Sequence, residues 1–463
     1  MKSCSRRQFL KTTAVAGSVP LWMGSPGEEK EARGETVEAP KKTRWYKGQL
    51  HTHSQWSDGS SLPECVCAAY RERGYDFLCL SDHNVFANKE LRFTGFGVSK
   101  EPEDKTAFEG ADSFWKPIVS KGGWAQLTQK FVDEAREKFG DDTVQTKTVG
   151  ETTYVRMKRF DELQKQWDEP EKFLLIPGFE QTGGCKTGLQ VHMNFINVTD
   201  FFPYCRKETA VETVHENAVV GEDFYQNNPE PYLFILNHPQ WPYYDVSPEV
   251  LRRLEKVRFF ELTNNPVTGG PFHEKGWNPE KYWDVVNAYR AANRQPLLYA
   301  TGSDDAHSID ENNHLLGPFW GWNMVRAEKL STSAIMNAML QGDFYVSTGI
   351  TLQDVQFSKE TRTLSVRVQE ENPENVKIEF IGTKKTFTRE FETIETEKPI
   401  RNLEVYAENI GVVLKTATGL ESSYTLQDDD LYVRARITWN DSAESRKHYQ
   451  VLTPAAWTQA WGG

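Results

Sequence analysis

The sequence has little cysteine, no long apolar run and no surplus of positive charge, and each shortage closes off a class of protein. Six cysteines in 463 residues, with no Cys-x-x-Cys pair, leave no cysteine zinc signature. They do not make a disulfide framework either. Cys65 and Cys67 lie two apart in an expected helix and point in different directions, Cys79 falls in an apolar strand, and only Cys185 and Cys205 remain as a pair that could join. No apolar stretch is long enough to span a bilayer. The formal charge of −12 lacks the basic face that a nucleic-acid binder normally shows. What remains is a globular chain with length for about two or three folded units.

The N-terminus carries a different message. Ser5-Arg6-Arg7-Gln8-Phe9-Leu10-Lys11 precedes a weakly apolar stretch over residues 12–23. A twin arginine before such a segment has the layout of a twin-arginine export signal, so a periplasmic or extracellular location is expected. Residues 1–40 are read as signal and linker and set aside from the fold.

From residue 45 to about 350, short apolar runs at 47–53, 76–81, 173–179, 192–198, 232–236, 258–262 and 296–301 alternate with helical patterns at 62–73, 248–256 and 279–293. Alternation of this kind reads as β/α units. About seven strands with polar residues at their C-terminal ends predict an α/β fold, a β/α barrel with its site on that rim. One step distorts it. Only about ten residues separate Glu180 from His192, too few for a helical crossover, so these two strands are expected to run antiparallel. Residues 84–172 are read as an insertion on the functional rim, with helical pieces at 131–139 and 160–167, placed to shape substrate access. Beyond 350, alternating segments predict a small β-sandwich over 351–463, whose one histidine is His448.

Of the ten histidines, six stand at the ends or entries of predicted strands. His51 and His53 share a strand face at i and i+2, so both imidazoles can reach one ion. Asp58 follows in a turn that can fold back over the strand end. Later strands deliver Asp82-His83, Glu180, His192, His238 and Asp304-Asp305-Ala306-His307 to the same rim. Gathering that many polar groups is expensive unless ions or hydrogen bonds satisfy them, and a shared metal cluster satisfies them together. Trp241, Tyr243, Tyr244, Asn264 and Asn265 could line a pocket on rim loops; His273 and His314 could reach it, and His215 reads as surface.

In order and spacing, His51-x-His53, Asp82-His83-Asn84, Glu180, His192, His238 and Asp305-x-His307 resemble the motifs of the PHP (polymerase and histidinol phosphatase) superfamily. The run Gly342-Asp343-Phe344-Tyr345-Val346-Ser347-Thr348-Gly349 is similar to a segment of that family's exported branch, which includes carbamate-ester hydrolases. The likeness covers about residues 45–350. It implies a trinuclear centre of zinc, manganese or iron. His51, His53, Glu180 and Asp305 would hold one ion; Glu180 would bridge to a second held by His192 and His238; Asp58, His83 and His307 would hold a third. Asp304 and Asp82 are expected to support rather than ligate, Asp82 by orienting an imidazole N–H.

Three divalent ions against three carboxylates leave a positive surplus, which suits an anionic small-molecule ester. The expected chemistry is attack by a metal-bridging hydroxide on phosphorus or a carbonyl carbon, with Glu180, Asp305 and His307 central to it. Phosphoester hydrolysis leads, and carboxylic or carbamate ester hydrolysis is the alternative. Phosphate substrates usually ask for Arg or Lys beside the ions, and Lys47, Lys186 and Arg326 are the nearest in sequence. From another class, an exported glycan-binding module with structural metals remains open.

Overall fold

The structure is a computed structural model, and it describes residues 43–85, 114–120, 126–239, 246–264, 278–313, 316–395, 402–439 and 454–462. These residues belong to one compact unit, Thr43–Gly463. The twin-arginine stretch lies outside them, as do Trp241, Tyr243, Tyr244, Asn265, His273, His314, His448 and part of the insertion. No helix among the described residues is long and apolar enough to cross a membrane.

The fold is mixed α/β. Strand Arg44–Gln49 lies between Phe77–Leu78, which runs parallel to it, and Trp322–Ala327, which runs antiparallel. Its inner face buries Tyr46 and Gly48. Glycine is required at 48, because a Cβ there would lie 2.1 Å from the Phe77 ring. These strands belong to a ten-stranded sheet. A second sheet of five has the order Tyr299–Gly302, Phe259–Thr263, Leu233–Leu236, Gln190–Ile196, Gly178–Gly184. Its first three strands are parallel and its last two antiparallel. Neither sheet closes on itself. Two isolated bridges stitch them together, Thr52 with Ala306 and His83 with Glu180.

The antiparallel step expected between Glu180 and His192 is present, with Thr182 opposite His192. The predicted run 173–179 is divided, however. Leu174–Leu175 ends one strand, and Glu180 sits inside the next, Gly178–Gly184, rather than at a strand end. The helix expected at 248–256 is a single turn, Pro248–Leu251. The insertion also holds more than helices. Phe114–Pro117, Thr152–Met157 and Thr146–Val149 form a three-stranded sheet beside helices Gln129–Phe139 and Phe160–Trp167.

Helix Pro279–Ala292 covers the five-stranded sheet. Its N-terminus is capped by Asn278, whose Oδ1 accepts from Lys281 N at 2.6 Å. It buries Tyr282, Trp283, Val285 and Val286, and Tyr282 stacks on Phe260. In the C-terminal part, Val376–Lys384, Asp430–Trp439 and Ala455–Thr458 extend the ten-stranded sheet through Phe344–Ser347, where Ser347 pairs with Ala456. A three-stranded sheet of Leu352–Ser358, Thr363–Val368 and Glu421–Thr425 shares a core with them through Val355, Leu364, Ile378, Phe380 and Val433. Cys185 and Cys205 are not joined to each other: their sulfurs approach Thr187 Oγ1 at 3.0 Å and the Pro203 carbonyl at 3.5 Å.

Candidate metal centre

The strand that begins at Arg44 runs out into His51-Thr52-His53. There His53 N donates to the Ala306 carbonyl at 2.8 Å and Asp305 N donates to the His51 carbonyl at 3.1 Å. The two imidazoles thus meet the Asp305 loop face to face. Asp305 and His238 adopt left-handed backbone conformations, with φ of 50° and 23°. Such geometry is uncommon outside glycine and costs free energy that surrounding contacts must offset, and it concentrates at functional sites. Both residues turn their side chains into the cluster.

All nine side chains singled out in the sequence converge and are buried. His51 Nε2 and His53 Nε2 are 3.1 Å apart, and Asp305 Oδ1 lies 3.1 Å and 2.9 Å from them. Glu180 Oε1 is 3.1 Å from His192 Nδ1 and 3.7 Å from His238 Nε2, while its Oε2 is 2.5 Å from His83 Nδ1. Asp58 Oδ1 stands 3.3 Å from His307 Nε2 and 3.5 Å from His83 Nε2. Donors about 2.1 Å from a shared ion at angles of 90–110° would sit roughly 3.0–3.4 Å from one another. Five of the carboxylate–imidazole contacts, at 2.9–3.5 Å, lie close to that requirement, while Glu180 Oε2 with His83 Nδ1 at 2.5 Å is shorter and Glu180 Oε1 with His238 Nε2 at 3.7 Å is longer. Nitrogen with carboxylate oxygen is a donor set for zinc, manganese or iron.

Three groups have ligand atoms all within 4.8 Å of one another: His51, His53 and Glu180; His83, Glu180 and His192; and His53, Asp58, His83 and His307. His53 and His83 therefore each belong to two groups, where the resemblance assigns each to one. His238 and Asp305 join none of these groups, but lie 3.7 Å from each other across the cluster.

The charges are mutually adjusted. Burial works against ionised carboxylates here, yet His83, His192 and His51 hold Glu180 well below its ordinary pKa, and His51, His53 and His307 do the same for Asp305. Asp58 is likewise lowered, by His307 and His83 against its burial. Burial would lower the pKa of His51 and His83, but the carboxylates win: His51 is raised well above the usual value by Asp305, Glu261 and Glu180, and His83 to about 9 by Glu180 and Asp58. His53 and His192 go the other way, to about 3 and about 4, because burial and neighbouring imidazoles prevail.

The supporting residues are partly those expected. Asp304 accepts from Trp320 N at 2.7 Å, Phe319 N at 2.8 Å and Tyr70 OH at 2.8 Å, so it ties strands together. Asp82 supports the site, but by a different route from the one predicted. It binds no imidazole. Its oxygens accept from the backbone N–H and hydroxyl of both Ser54 and Ser57, at 2.7–3.0 Å, and so shape the turn that carries Asp58.

Sequence reasoning missed Glu261 and Lys116. Glu261 Oε1 faces His51 Nδ1 at 2.6 Å, and its Oε2 accepts from His238 N at 2.9 Å and Asn264 Nδ2 at 2.8 Å. Asn264 thus serves Glu261 rather than a pocket wall. The signal was a lone carboxylate inside the apolar strand Phe259–Thr263. Lys116, from the insertion, is buried and donates to the carbonyls of Gln55 and Ser57 at 2.8 Å and 2.9 Å; burial lowers its pKa to about 8.

None of the three cations named from sequence faces the cluster. Lys47 lies 4.0 Å from the centre of the Tyr75 ring, Lys186 pairs with Glu208, and Arg326 pairs with Asp343 and Asp354. His215 is exposed on helix Ala210–Tyr225. A cleft of about 950 Å³ reaches the cluster at Asp58 and His307. The insertion supplies one wall of it through Gln126, Thr128, Lys130 and Phe131.

No family model matches the chain, and a search of curated proteins finds no match. Among solved structures it is similar to one from Bacteroides vulgatus described as a two-domain protein containing a predicted PHP-like metal-dependent phosphoesterase. The identity is 13%, the TM-score is 0.36, and the match covers 89% of this chain and 95% of that one. At that score the likeness carries no argument about this chain.

Proposed function

We propose that this chain is a metal-dependent hydrolase of ester bonds, with phosphomonoesters or phosphodiesters as its first substrate class. One observation carries the reading: nine buried histidine and carboxylate side chains, from strands and the loops that follow them, bring their ligand atoms together. His51, His53, Glu180 and Asp305 would hold one ion, Glu180 with His192 and His238 a second, and Asp58, His83 and His307 a third. Zinc, manganese and iron all suit these donors. Bound there, divalent ions supply Lewis acidity and lower the pKa of water toward neutrality.

The chain's own residues position the site. Glu261 accepts from His51 Nδ1, which leaves Nε2 to face the cluster. Asp82 and Lys116 fix the turn carrying Asp58 from two sides. Three divalent ions would outweigh the three ligand carboxylates and Glu261 together, and the positive field left there favours an anionic ester. The carboxylic or carbamate ester reading is favoured by the cleft instead. Ser60, Ser61, Gln126, Thr128 and Ser308 line it beside the acids Glu134 and Asp310, and its Lys130 lies 3.6 Å from Glu134.

In the same reading, the two open sheets are halves of a distorted barrel over 45–350 joined at their bridges, 351–463 is an accessory β domain, and 1–40 directs twin-arginine export. The test is hydrolysis of bis-p-nitrophenyl phosphate, p-nitrophenyl phosphate and p-nitrophenyl carboxylic esters by metal-loaded protein. Turnover that is lost in the double variant His51→Ala, Asp305→Ala supports the proposal. Two to three bound ions by elemental analysis with no turnover of any ester would favour a binding module with structural metals.

A further inference from the structure

A second cleft, of about 680 Å³, lies between the end of helix Pro279–Ala292 and the C-terminal strands. Its lining includes Leu297, which precedes strand Tyr299–Gly302, whereas Asp305 follows that strand. The cleft is therefore at the opposite end of the strand from the metal cluster.

Four cations line it, Arg294, Arg362, Lys385 and Arg389, in a chain whose net charge is −12. Its one acid, Asp430, is committed elsewhere: it lies 2.6 Å from Lys384 Nζ and accepts from Tyr424 OH at 2.9 Å. Among the described residues Arg294 and Arg389 form no ion pair, and Arg362 has only the fully exposed Asp428 at 3.5 Å, a weak partner. Gathering like charges around a concavity focuses a positive field there.

The backbone adds an independent sign. Arg294 and Arg362 both adopt left-handed conformations, with φ of 57° and 53°. Arg294 follows the helix C-cap Asn293, and Arg362 sits in the turn between Leu352–Ser358 and Thr363–Val368. Glycine or asparagine is the ordinary residue at such positions. Two of the described non-glycine residues that bear this strain thus line one cleft, and strain held at a surface site points to function.

The lining also indicates the ligand. Arginine forks match carboxylate, sulfate or phosphate oxygens. Ala291, Ala292, Leu297 and Leu431 offer an aliphatic floor, and among the described residues no aromatic side chain lines the cleft for a base to stack on. The volume falls in the range of small-ligand sites. We propose that this cleft binds an anionic oligosaccharide, holding it at a distance from the metal centre.

The experiment is calorimetric titration of the full chain at low salt with a sulfated tetrasaccharide, tetragalacturonate, uncharged maltotetraose and inorganic pyrophosphate. At least one charged saccharide should bind, with affinity falling as salt rises, and the comparison of the first two separates sulfate from carboxylate recognition. Arg294→Gly and Arg362→Gly each remove a cation while relaxing the backbone. They should weaken binding by about tenfold, keep the melting temperature, and leave p-nitrophenyl ester turnover unchanged. The proposal is overturned if neither charged saccharide binds, if maltotetraose binds as well, if pyrophosphate binds more tightly than both, or if the glycine variants bind like the parent.

Discussion

Replacing Glu261 by glutamine tests whether the metal centre depends on a group that never reaches the ions. The carboxylate makes three contacts: His51 Nδ1 at 2.6 Å, His238 N at 2.9 Å and Asn264 Nδ2 at 2.8 Å. All three partners are donors when His51 presents Nε2 to the cluster, and a carboxylate can accept from all of them. An amide of the same shape offers one oxygen. If that oxygen faces His51, the amide N–H₂ meets the backbone N–H of His238 and the side-chain amide of Asn264; if it turns round, it meets Nδ1–H. Either way one buried donor faces another, which costs about 1–3 kcal/mol of folding stability. The effect on metal binding is separate. Loss of the group that orients a ligating histidine lowers affinity by about 10–100-fold, or about 1.4–2.7 kcal/mol. Titration of chelator-stripped parent and Glu261→Gln protein with zinc or manganese measures it, with circular dichroism to verify the fold. A folded variant that binds within about twofold of the parent would refute the reasoning.

Two further predictions concern groups outside the ligand set. Burial lowers the Lys116 pKa from 10.5 to about 8, so below pH 8 the amine is charged in both folded and unfolded chains and its burial cost is fully present; between 8 and 10.5 the unfolded chain binds more protons and stability rises. Relative to Lys116→Met, metal-free parent protein should gain about 3 kcal/mol across that interval in urea titrations, and parallel profiles would contradict the assignment. Asp284 meets the buried Arg434 guanidinium at 2.9 Å and 2.6 Å and Glu280 meets it at 2.9 Å, so Asp284→Ala leaves the buried cation with Glu280 alone and should cost about 1–3 kcal/mol. The double variant Asp284→Leu, Arg434→Met should cost less than the single one, and a larger loss would show that packing, not charge, dominates there.

The candidate ligands were legible in the sequence, whereas their supports were legible only in part, for a physical reason. A strand end determines locally which side chains face the rim, so His51-x-His53 and Asp305-x-His307 carry their geometry in their spacing. Chain length constrains the return from Glu180 to His192 just as directly, and the antiparallel pairing followed. Glu261 had no such local mark, because its partners come from residues 51, 238 and 264 and depend on how strands are ordered. Asp82 was read as an orienting group, yet which donors it meets depends on how the turn at 54–57 folds over it, and four hydroxyl and amide groups there took the place of an imidazole. The insertion's sheet was hidden by composition. Thr146–Val149 is mostly exposed, and Thr152–Met157 alternates only at Val155 and Met157, too short a run to announce a strand. The pairing of Ser347 with Ala456 joins segments more than a hundred residues apart and is set by packing of the whole sheet. A candidate cluster can therefore be read from sequence where its donors follow strand ends, as His51, His53 and Asp305 do, while the forces that hold those donors act between strands and appear only once the strands are placed.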